Sequence, residues 1–160
     1  MKVRLITAVL FASIASFGQE NKKVMEPVNQ LFEGMKKGDS AMVHKAFNPG
    51  PHFFTVFVDS KTNKPVLKVD DFNGFLKAIG TPHAEVWNEA IWSPKIEIDG
   101  NLAQVWVPYA FYAGKKFSHC GVDAFQLFKN EKGEWKIFHL ADTRQKEGCN
   151  IPKEVSDQYK

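Results

Sequence analysis

The most constraining feature of this sequence is the stretch from residue 101 to 144, in which three long segments are separated by two short turns. The segments are rich in β-branched and aromatic residues, a composition that favours strands. Their turns contain Gly114-Lys115 and Glu131-Lys132-Gly133, and glycine in connections of two to three residues is typical of β-hairpins. The sequence therefore predicts an antiparallel meander of three strands at the centre of the domain.

Further strands are predicted before this meander. Residues 52–58 and 66–69 predict a small hairpin, because each is aromatic or β-branched and a polar turn separates them. Residues 85–98 predict one long strand that is interrupted at Pro94, since proline cannot donate to a strand ladder. Asp99-Gly100 predicts a two-residue hairpin turn that leads into the meander.

The N-terminal third predicts helices that cover the sheet. Between Asn21 and Lys37 apolar residues recur every three or four positions, the spacing of one helical face. Gly38 ends that pattern, Asp39 is a natural N-cap for a second short helix, and Asp70 or Asp71 caps a third that ends at Gly80. The predicted fold class is α+β, with three N-terminal helices packed on a strongly bent antiparallel sheet.

Residues 1–18 predict a secretory signal peptide, with Lys2 and Arg4 before an apolar run that is too short to span a bilayer. We expect cleavage after Gly18, a single domain over residues 19–160, and export to the periplasm or the medium without a membrane anchor. Cleavage would leave 19 of the 21 basic residues against 18 acidic ones, a formal net charge of +1. This balance gives no electrostatic reason to expect nucleic acid or an anionic membrane as a partner.

The chain contains two cysteines, Cys120 and Cys149. An even count in an exported protein indicates a disulfide, with two free thiols as the alternative. The cysteines and histidines lack the spacing of a zinc site, so we expect no metal. Glycine-rich phosphate loops and nucleophile motifs are absent from the sequence as well, and we expect no cofactor.

The helix-turn-helix MKKGDSAMVHKAF, the turn and strand DGNLAQVWVPYAF, and the final hairpin with Gly133-x-Trp135-Lys136-Ile137 together resemble the nuclear transport factor 2-like superfamily. The resemblance covers nearly all of residues 19–160. It implies a cystatin-like cone in which helices pack on the concave side of the sheet and leave a conical pocket, with the convex side as a frequent dimer contact. Relatives include ketosteroid isomerase, SnoaL-like cyclases and members that only bind, so the fold does not choose a function.

A strand register can be written if Ala113 pairs with Lys116 and Asn130 with Trp135. Under this register one face carries four polar residues around Gly121, which would leave a small hollow among them. These residues are His119, Asp123, Asp142 and Arg144, with an apolar floor of Phe125, Leu127, Phe138 and Leu140. The opposite face would carry Val105, Val107, Tyr109, Phe111, Cys120, Ile137 and His139. Cys120 would lie opposite Gln145, from which Cys149 can be reached.

The polar cluster predicts a candidate acid/base site, because two opposed carboxylates in a desolvated place cannot both ionise freely. The catalytic candidates are Asp123 or Asp142 as the base and His119 or a tyrosine as the acid. The candidate ligand-binding residues are Arg144, Tyr109, Tyr112, Trp106, Phe125, His139 and His52. The alternative is a set of cross-strand ion pairs on a solvated end of the sheet, and a register slip of one residue would move the whole set to the other face.

Three functions are compatible with this sequence. The first is an exported domain that binds a small, largely apolar molecule in the cone. The second is a cofactor-independent isomerase, cyclase or dehydratase that uses the cluster of His119, Asp123 and Asp142. The third is a homodimeric interaction module without a ligand.

Overall fold

The structure, a computed structural model, describes residues 4–160, with side chains from residue 18 onward. In chain order its elements are α1 (Arg4–Lys37), α2 (Ser40–Ala46), β1 (Phe47–Val58), β2 (Pro65–Asp70), α3 (Phe72–Gly80), β3 (Trp87–Ile91), β4 (Lys95–Asp99), β5 (Leu102–Ala113), β6 (Lys116–Lys129), β7 (Trp135–Arg144), α4 (Lys153–Ser156) and a 3-10 turn at Asp157–Tyr159. The described chain thus has one short α-helix more than the three predicted.

The helical caps that the sequence predicts are present. Asp39 accepts a hydrogen bond from the backbone N–H of Met42 at 2.9 Å, and Asp71 accepts from the N–H groups of Asn73 and Gly74. Gly38 adopts a φ of 66° between α1 and α2, a conformation that glycine reaches without steric cost. The predicted apolar face of α1 is buried over its whole length, at Val24, Val28, Leu31, Phe32 and Met35.

The predicted signal peptide stays a prediction. Residues 1–3 lie outside the described residues, and α1 runs continuously through the expected cleavage point after Gly18. Within the part of the chain that the structure describes, no helix is both long enough and apolar enough to cross a membrane.

The sheet has seven strands. Six of them follow the order β2-β1-β7-β6-β5-β3, and the seventh, β4, pairs with β5 along the same edge as β3. The predicted interruption near Pro94 is confirmed, because β3 and β4 both pair with β5 and are separated at Ser93, which has a φ of 47°. The expectation of a purely antiparallel sheet was wrong, since β1 pairs with β7 in parallel. The pairs β1–β2, β4–β5, β5–β6 and β6–β7 are antiparallel hairpins, whereas β1 and β7 lie far apart in sequence and are not constrained by a tight turn.

The register between β5 and β6 departs from the predicted one. Ala113 pairs with Lys116 as predicted. A bulge between Phe111 and Tyr112 then shifts by one residue every pair that lies farther from the turn. Asp123 consequently lies opposite Val107, not opposite Trp106. Because side chains alternate between faces, this shift brings four β5 residues onto the face that carries Asp123. The prediction was therefore wrong that the face opposite Asp123 carries Val105, Val107, Tyr109 and Phe111.

The predicted register between β6 and β7 is partly correct. Trp135 pairs with Lys129, not with the predicted Asn130. A second irregularity, between Gln126 and Leu127, then restores the predicted pairs of Asp123 with Asp142 and of Gln126 with His139. This bulge also exchanges two predicted positions, since Ile137 is in the core and Phe138 is on the other face against Phe128.

The helices cover the concave face of the bent sheet. The main core joins α1 to the inward residues of the meander, and Phe32 meets Phe125 edge to face at a centroid distance of 6.1 Å. The core members from the meander are Ala103, Val105, Val107, Phe125, Leu127, Trp135, Ile137 and Leu140. At the other end of the same face the layers separate and leave a cavity.

The predicted disulfide is present between Cys120 and Cys149, whose Cα atoms are 6.0 Å apart. Cys120 also forms the predicted bridge with Gln145, with two backbone hydrogen bonds of 2.9 Å. The disulfide draws the C-terminal tail onto the convex side of β5 and β6. There Tyr159 stacks on Tyr112 with ring centroids 4.0 Å apart.

Candidate functional site

The cavity between the helices and the sheet has a volume of about 660 Å³, within the range of small-molecule sites. Apolar and aromatic side chains from α1, α3 and the strands β1, β2, β3, β5 and β7 form most of its wall. They are Leu31, Phe32, Met35, Phe53, Phe54, Val69, Phe75, Ala78, Trp87, Phe111 and Leu140. The polar part of the wall is Thr55, Lys68, Asp70, Asp71, Glu89, Tyr109, His119, Asp123, Asp142 and Arg144.

Asp142 is the most completely bonded carboxylate of the cavity. Its Oδ1 accepts from the hydroxyl of Thr55 at 2.6 Å, and its Oδ2 accepts from Arg144 Nε at 2.7 Å and lies 3.2 Å from Tyr109 Oη. The Thr55 hydroxyl also lies 2.8 Å from Asp70, which forms an ion pair with Lys68. Asp142 and Asp70 therefore each have a cation of their own.

Asp123 lies beside Asp142 and is far less well partnered. Its side chain is 3% exposed, and its Oδ2 has no hydrogen-bond partner. Burial, together with the nearby carboxyls of Glu89 and Asp142, raises the pKa of Asp123 well above its ordinary value. Ionisation of Asp123 is consequently disfavoured, since a lone buried carboxylate would lose its hydration without compensation.

Glu89 completes this pair from the neighbouring edge of the sheet. It lies on β3 opposite Phe111 and shares a hydrogen bond with Asp123. Burial raises the pKa of Glu89 to about 7, partly opposed by that hydrogen bond. A carboxyl poised near neutral pH can take up and release a proton under ordinary conditions.

His119 lies in the same wall and is neutral. Its ring stacks on Phe111 at a centroid distance of 5.1 Å, and its Nδ1 lies 3.0 Å from the hydroxyl of Ser118. Burial, reinforced by the charge of Arg144, lowers the pKa of His119 to about 4. The predicted role of His119 as an acid is thus weakened, because the protonated form is scarce at neutral pH.

The structure brings together part of the predicted site. Asp123, His119, Asp142 and Arg144 line one cavity, and Tyr109 joins them with its ring 1% exposed. Tyr109 donates to the carbonyl of Thr143 at 2.9 Å, so its hydroxyl is held in place. Asp123 and Tyr109 are buried in this cluster, whereas Arg144, the ion-pair partner of Asp142, is half exposed at the rim of the cavity.

The other predicted ligand-binding residues lie elsewhere. Trp106 is 52% exposed, and Tyr112 is buried beneath the C-terminal tail. His139 pairs with His52 across β1 and β7 and contacts Phe54. Neither histidine lies in the cavity wall. Phe125 lies in the core, outside the cavity lining. The bulge between β5 and β6 explains the first two placements, because it reverses which β5 residues share a face with Asp123.

The predicted hollow at Gly121 is filled by backbone. A Cβ at this glycine would fall 1.8 Å from the carbonyl oxygen of Thr143. The absent side chain thus admits the β7 backbone, and the Thr143 carbonyl in turn anchors Tyr109.

Sequence reasoning missed Glu89, Thr55, Asp70 and Lys68. Glu89 had a recognisable signal, since Trp87, Glu89 and Ile91 share one face of β3 and the residues that flank it there are apolar. A charged residue on an otherwise apolar face is a candidate functional group. Thr55 had no such signal, because its partners come from β2 and from a parallel pairing with β7.

Among the residues that the structure describes, no group of three or more histidine, cysteine, aspartate or glutamate side chains is arranged to hold a metal ion. The available chemistry is a proton-sharing carboxyl pair, a fixed tyrosine hydroxyl and two cations at the rim.

Solved structures with the same architecture define the class of protein. An NTF2-like protein of unknown function from Shewanella baltica OS155 is 25% identical, with 82% of this chain and 98% of that chain covered and a TM-score of 0.63. An NTF2-like protein with a cystatin-like fold from Novosphingobium aromaticivorans is 8% identical, with coverages of 92% and 93% and a TM-score of 0.64. A protein from Shewanella frigidimarina described as a "putative ketosteroid isomerase" is 17% identical, with coverages of 75% and 94% and a TM-score of 0.56. The fold is that of the nuclear transport factor 2-like superfamily.

A family model gives a narrower assignment than the superfamily. Residues 19–139 match the profile of the family described as "putative lumazine-binding", Lumazine_bd_2, and the chain belongs to that family. No curated protein matches the chain significantly.

Proposed function

We propose that this protein binds a small, largely apolar molecule in the cavity, with the polar part of the ligand against Glu89 and Asp123. The observation that carries this proposal is the combination, in one cavity of about 660 Å³, of an aromatic wall with a carboxyl pair of which Asp123 is buried and Glu89 is half-buried. Small-molecule sites have this composition, a mainly apolar surface with a few converging polar groups. The description of the family supports ligand binding and makes lumazine the first compound to titrate.

Native mass spectrometry of the purified protein tests this function. We expect a bound molecule that is released by denaturation, and a loss of that molecule in Ala78→Phe, which fills the cavity wall from α3. Ala84→Phe is the matched control, since Ala84 is exposed and outside the lining of this cavity. A protein that carries no bound molecule, and whose melting temperature no compound of a panel that includes lumazine raises, would contradict the proposal.

Acid/base catalysis on the bound molecule is the second candidate, favoured by the pKa of about 7 at Glu89. Glu89 would act as the base that takes up the proton. If the molecule found by mass spectrometry contains a carbonyl group, the protein should accelerate deuterium exchange at the neighbouring carbon in D₂O, and Glu89→Gln should abolish this acceleration. Exchange at the rate of buffer alone would remove this candidate.

Export is supported by the disulfide between Cys120 and Cys149, which persists in oxidising compartments. Expression of the full chain should yield a periplasmic or secreted protein that begins at Gln19, as N-terminal sequencing would show. A cytoplasmic product that retains Met1 would contradict this placement.

Homodimer formation is supported by apolar side chains on the convex face near the β2 edge. Val56, Val58 and Leu67 are 38%, 59% and 65% exposed, and contiguous exposed apolar surface is typical of interfaces. Light scattering should give the mass of a dimer for the wild type and of a monomer for Leu67→Lys. A monomeric wild type would contradict the dimer and leave the cavity unaffected.

A further inference from the structure

The charges in the cavity are unevenly partnered. Of the carboxyls in the wall, Asp70 pairs with Lys68 and Asp142 pairs with Arg144. Asp71 caps the N-terminus of α3 through two backbone N–H groups. The two remaining carboxyls, Glu89 and Asp123, form no ion pair with any cation among the described residues.

The polar groups closest to this pair do not supply the missing charge. Arg144 Nε is bonded to Asp142, and His119 is kept neutral by burial and by the charge of Arg144. When the pair holds one proton, between Glu89 and Asp123, its remaining oxygens can only accept hydrogen bonds. Asp123 Oδ2 has no donor, which is a costly condition for a buried oxygen.

Aromatic rings stand next to this pair. Trp87 lies two residues from Glu89 on the same face of β3, and Phe111 lies opposite Glu89 on β5. The rings of Trp87 and Phe111 meet edge to face at 5.9 Å. A positive group near such faces is attracted by the ring quadrupole, most strongly at tryptophan.

We propose that the ligand of this cavity is an organic cation, a protonated amine or amidinium on an apolar, aromatic-sized body, whose charged group rests on Glu89 and Asp123. The apolar body then lies against Trp87 and Phe111. This proposal rests on the binding function proposed above and adds the charge class of the ligand. An inorganic cation is disfavoured, because the carboxyls of the described residues do not converge as metal ligands.

A cation on the pair changes its protonation. The positive charge favours ionisation of Glu89, so binding releases a proton where free Glu89 is partly protonated. The affinity for a permanent cation therefore increases as the pH rises from about 5 to about 8, on either side of the pKa of about 7. The affinity for a neutral ligand does not require the ionisation of Glu89.

Three compounds of nearly equal shape test the charge class by calorimetry on the full-length mature protein. They are benzamidinium, benzamide and benzoate, which carry a positive, a neutral and a negative group on one ring. We expect benzamidinium to bind at least ten-fold more tightly than benzamide, with proton release at pH 7 in buffers of different ionisation enthalpy. Glu89→Gln should reduce the preference at least ten-fold, while Glu131→Gln, an exposed turn residue, should retain it.

The outcomes separate this proposal from the binding function. Benzamide or benzoate binding as tightly as benzamidinium overturns the charge class and leaves the cavity as a binding site. The same holds if neutral lumazine binds and benzamidinium does not. Absence of binding by every compound, in a protein that also carries no copurified molecule, overturns both. Should Glu89→Gln fail to fold, Asp123→Asn and the wild-type preference among the three compounds decide.

Discussion

Gly121 lies directly against the carbonyl group of Thr143, so closely that a Cβ at residue 121 would fall 1.8 Å from the oxygen. This approach joins the fold to the site, because the same carbonyl accepts the hydroxyl of Tyr109 at 2.9 Å. The backbone of β7 can take this path only where β6 has no side chain.

Gly121→Ala should therefore destabilise the protein by about 3 kcal/mol or more, since the clash is with backbone and cannot be relieved by a rotamer change. Urea unfolding followed by tryptophan fluorescence measures the change. Gly74→Ala in α3 is the control, because its Cβ would meet only the side chain of Asp71 at 3.1 Å and alanine favours helix. An unfolding midpoint for Gly121→Ala equal to that of wild type would show that the two strands do not approach in this way.

Loss of the disulfide should destabilise the protein by roughly 3–4 kcal/mol, the chain-entropy value for a loop of this length. Cys120 and Cys149 are 29 residues apart in sequence, and their bond holds the tail that covers Tyr112. The double variant Cys120→Ala/Cys149→Ala should lose this stability and become insensitive to reductant, whereas wild type should shift with dithiothreitol. Identical melting temperatures for oxidised and reduced wild type would contradict the prediction.

Glu89 should make stability fall with rising pH. Its folded pKa is raised to about 7, so between about pH 4.5 and 7 the folded state holds a proton that the unfolded state has lost. The stability associated with this proton is present below pH 4.5 and lost as the pH rises through 7. Glu89→Gln should consequently gain about 1–3 kcal/mol relative to wild type between pH 4.5 and 8. Denaturant titrations at several pH values measure it, with Glu131→Gln as the flat control.

His119 should act in the opposite direction. Its folded pKa is lowered to about 4, so the unfolded state binds a proton between about pH 6.5 and 4 that the folded state does not. Stability from His119 is complete above pH 6.5 and is lost on acidification. His119→Gln should therefore lose less stability than wild type between pH 6.5 and 4, by about 1–2 kcal/mol. Parallel acid titrations of the two proteins measure this effect. A difference in stability between them that did not vary with pH would contradict the prediction.

These two pH effects overlap and have opposite signs. In wild type the fall due to Glu89 and the rise due to His119 offset each other over much of the range from pH 4.5 to 6.5. The separate contributions are visible only as differences between each variant and wild type.

Local patterns predicted most elements of the fold. The apolar spacing of α1, the caps Asp39 and Asp71 and the interruption near Pro94 are all in the structure, because each depends on neighbours within a few residues. The pairing of Asp123 with Asp142 was also predicted correctly, although the predicted pair at the turn was one residue off and the irregularity between Gln126 and Leu127 compensates for that shift.

Part of the site could not be predicted because it depends on single-residue irregularities. An alternating pattern has a period of two, so it states which residues share a face within a strand but does not reveal an inserted residue. The bulge at Phe111 and Tyr112 moved Tyr109 into the cavity and Trp106 out of it. Thr55 reached Asp142 only through the parallel pairing of β1 with β7, which no turn in the sequence specifies.

The sequence by itself determined the secondary structure, the presence of a central meander, the disulfide and the acidic pair on β6 and β7. The tertiary structure decided which face of the meander meets the helices and which carboxyls lack a cation. Glu89 joins Asp123 only when β3 pairs with β5 and the sheet bends around α1. The physical reason is that the pKa and partners of a carboxyl depend on what surrounds it in space, and most of those neighbours come from distant parts of the chain.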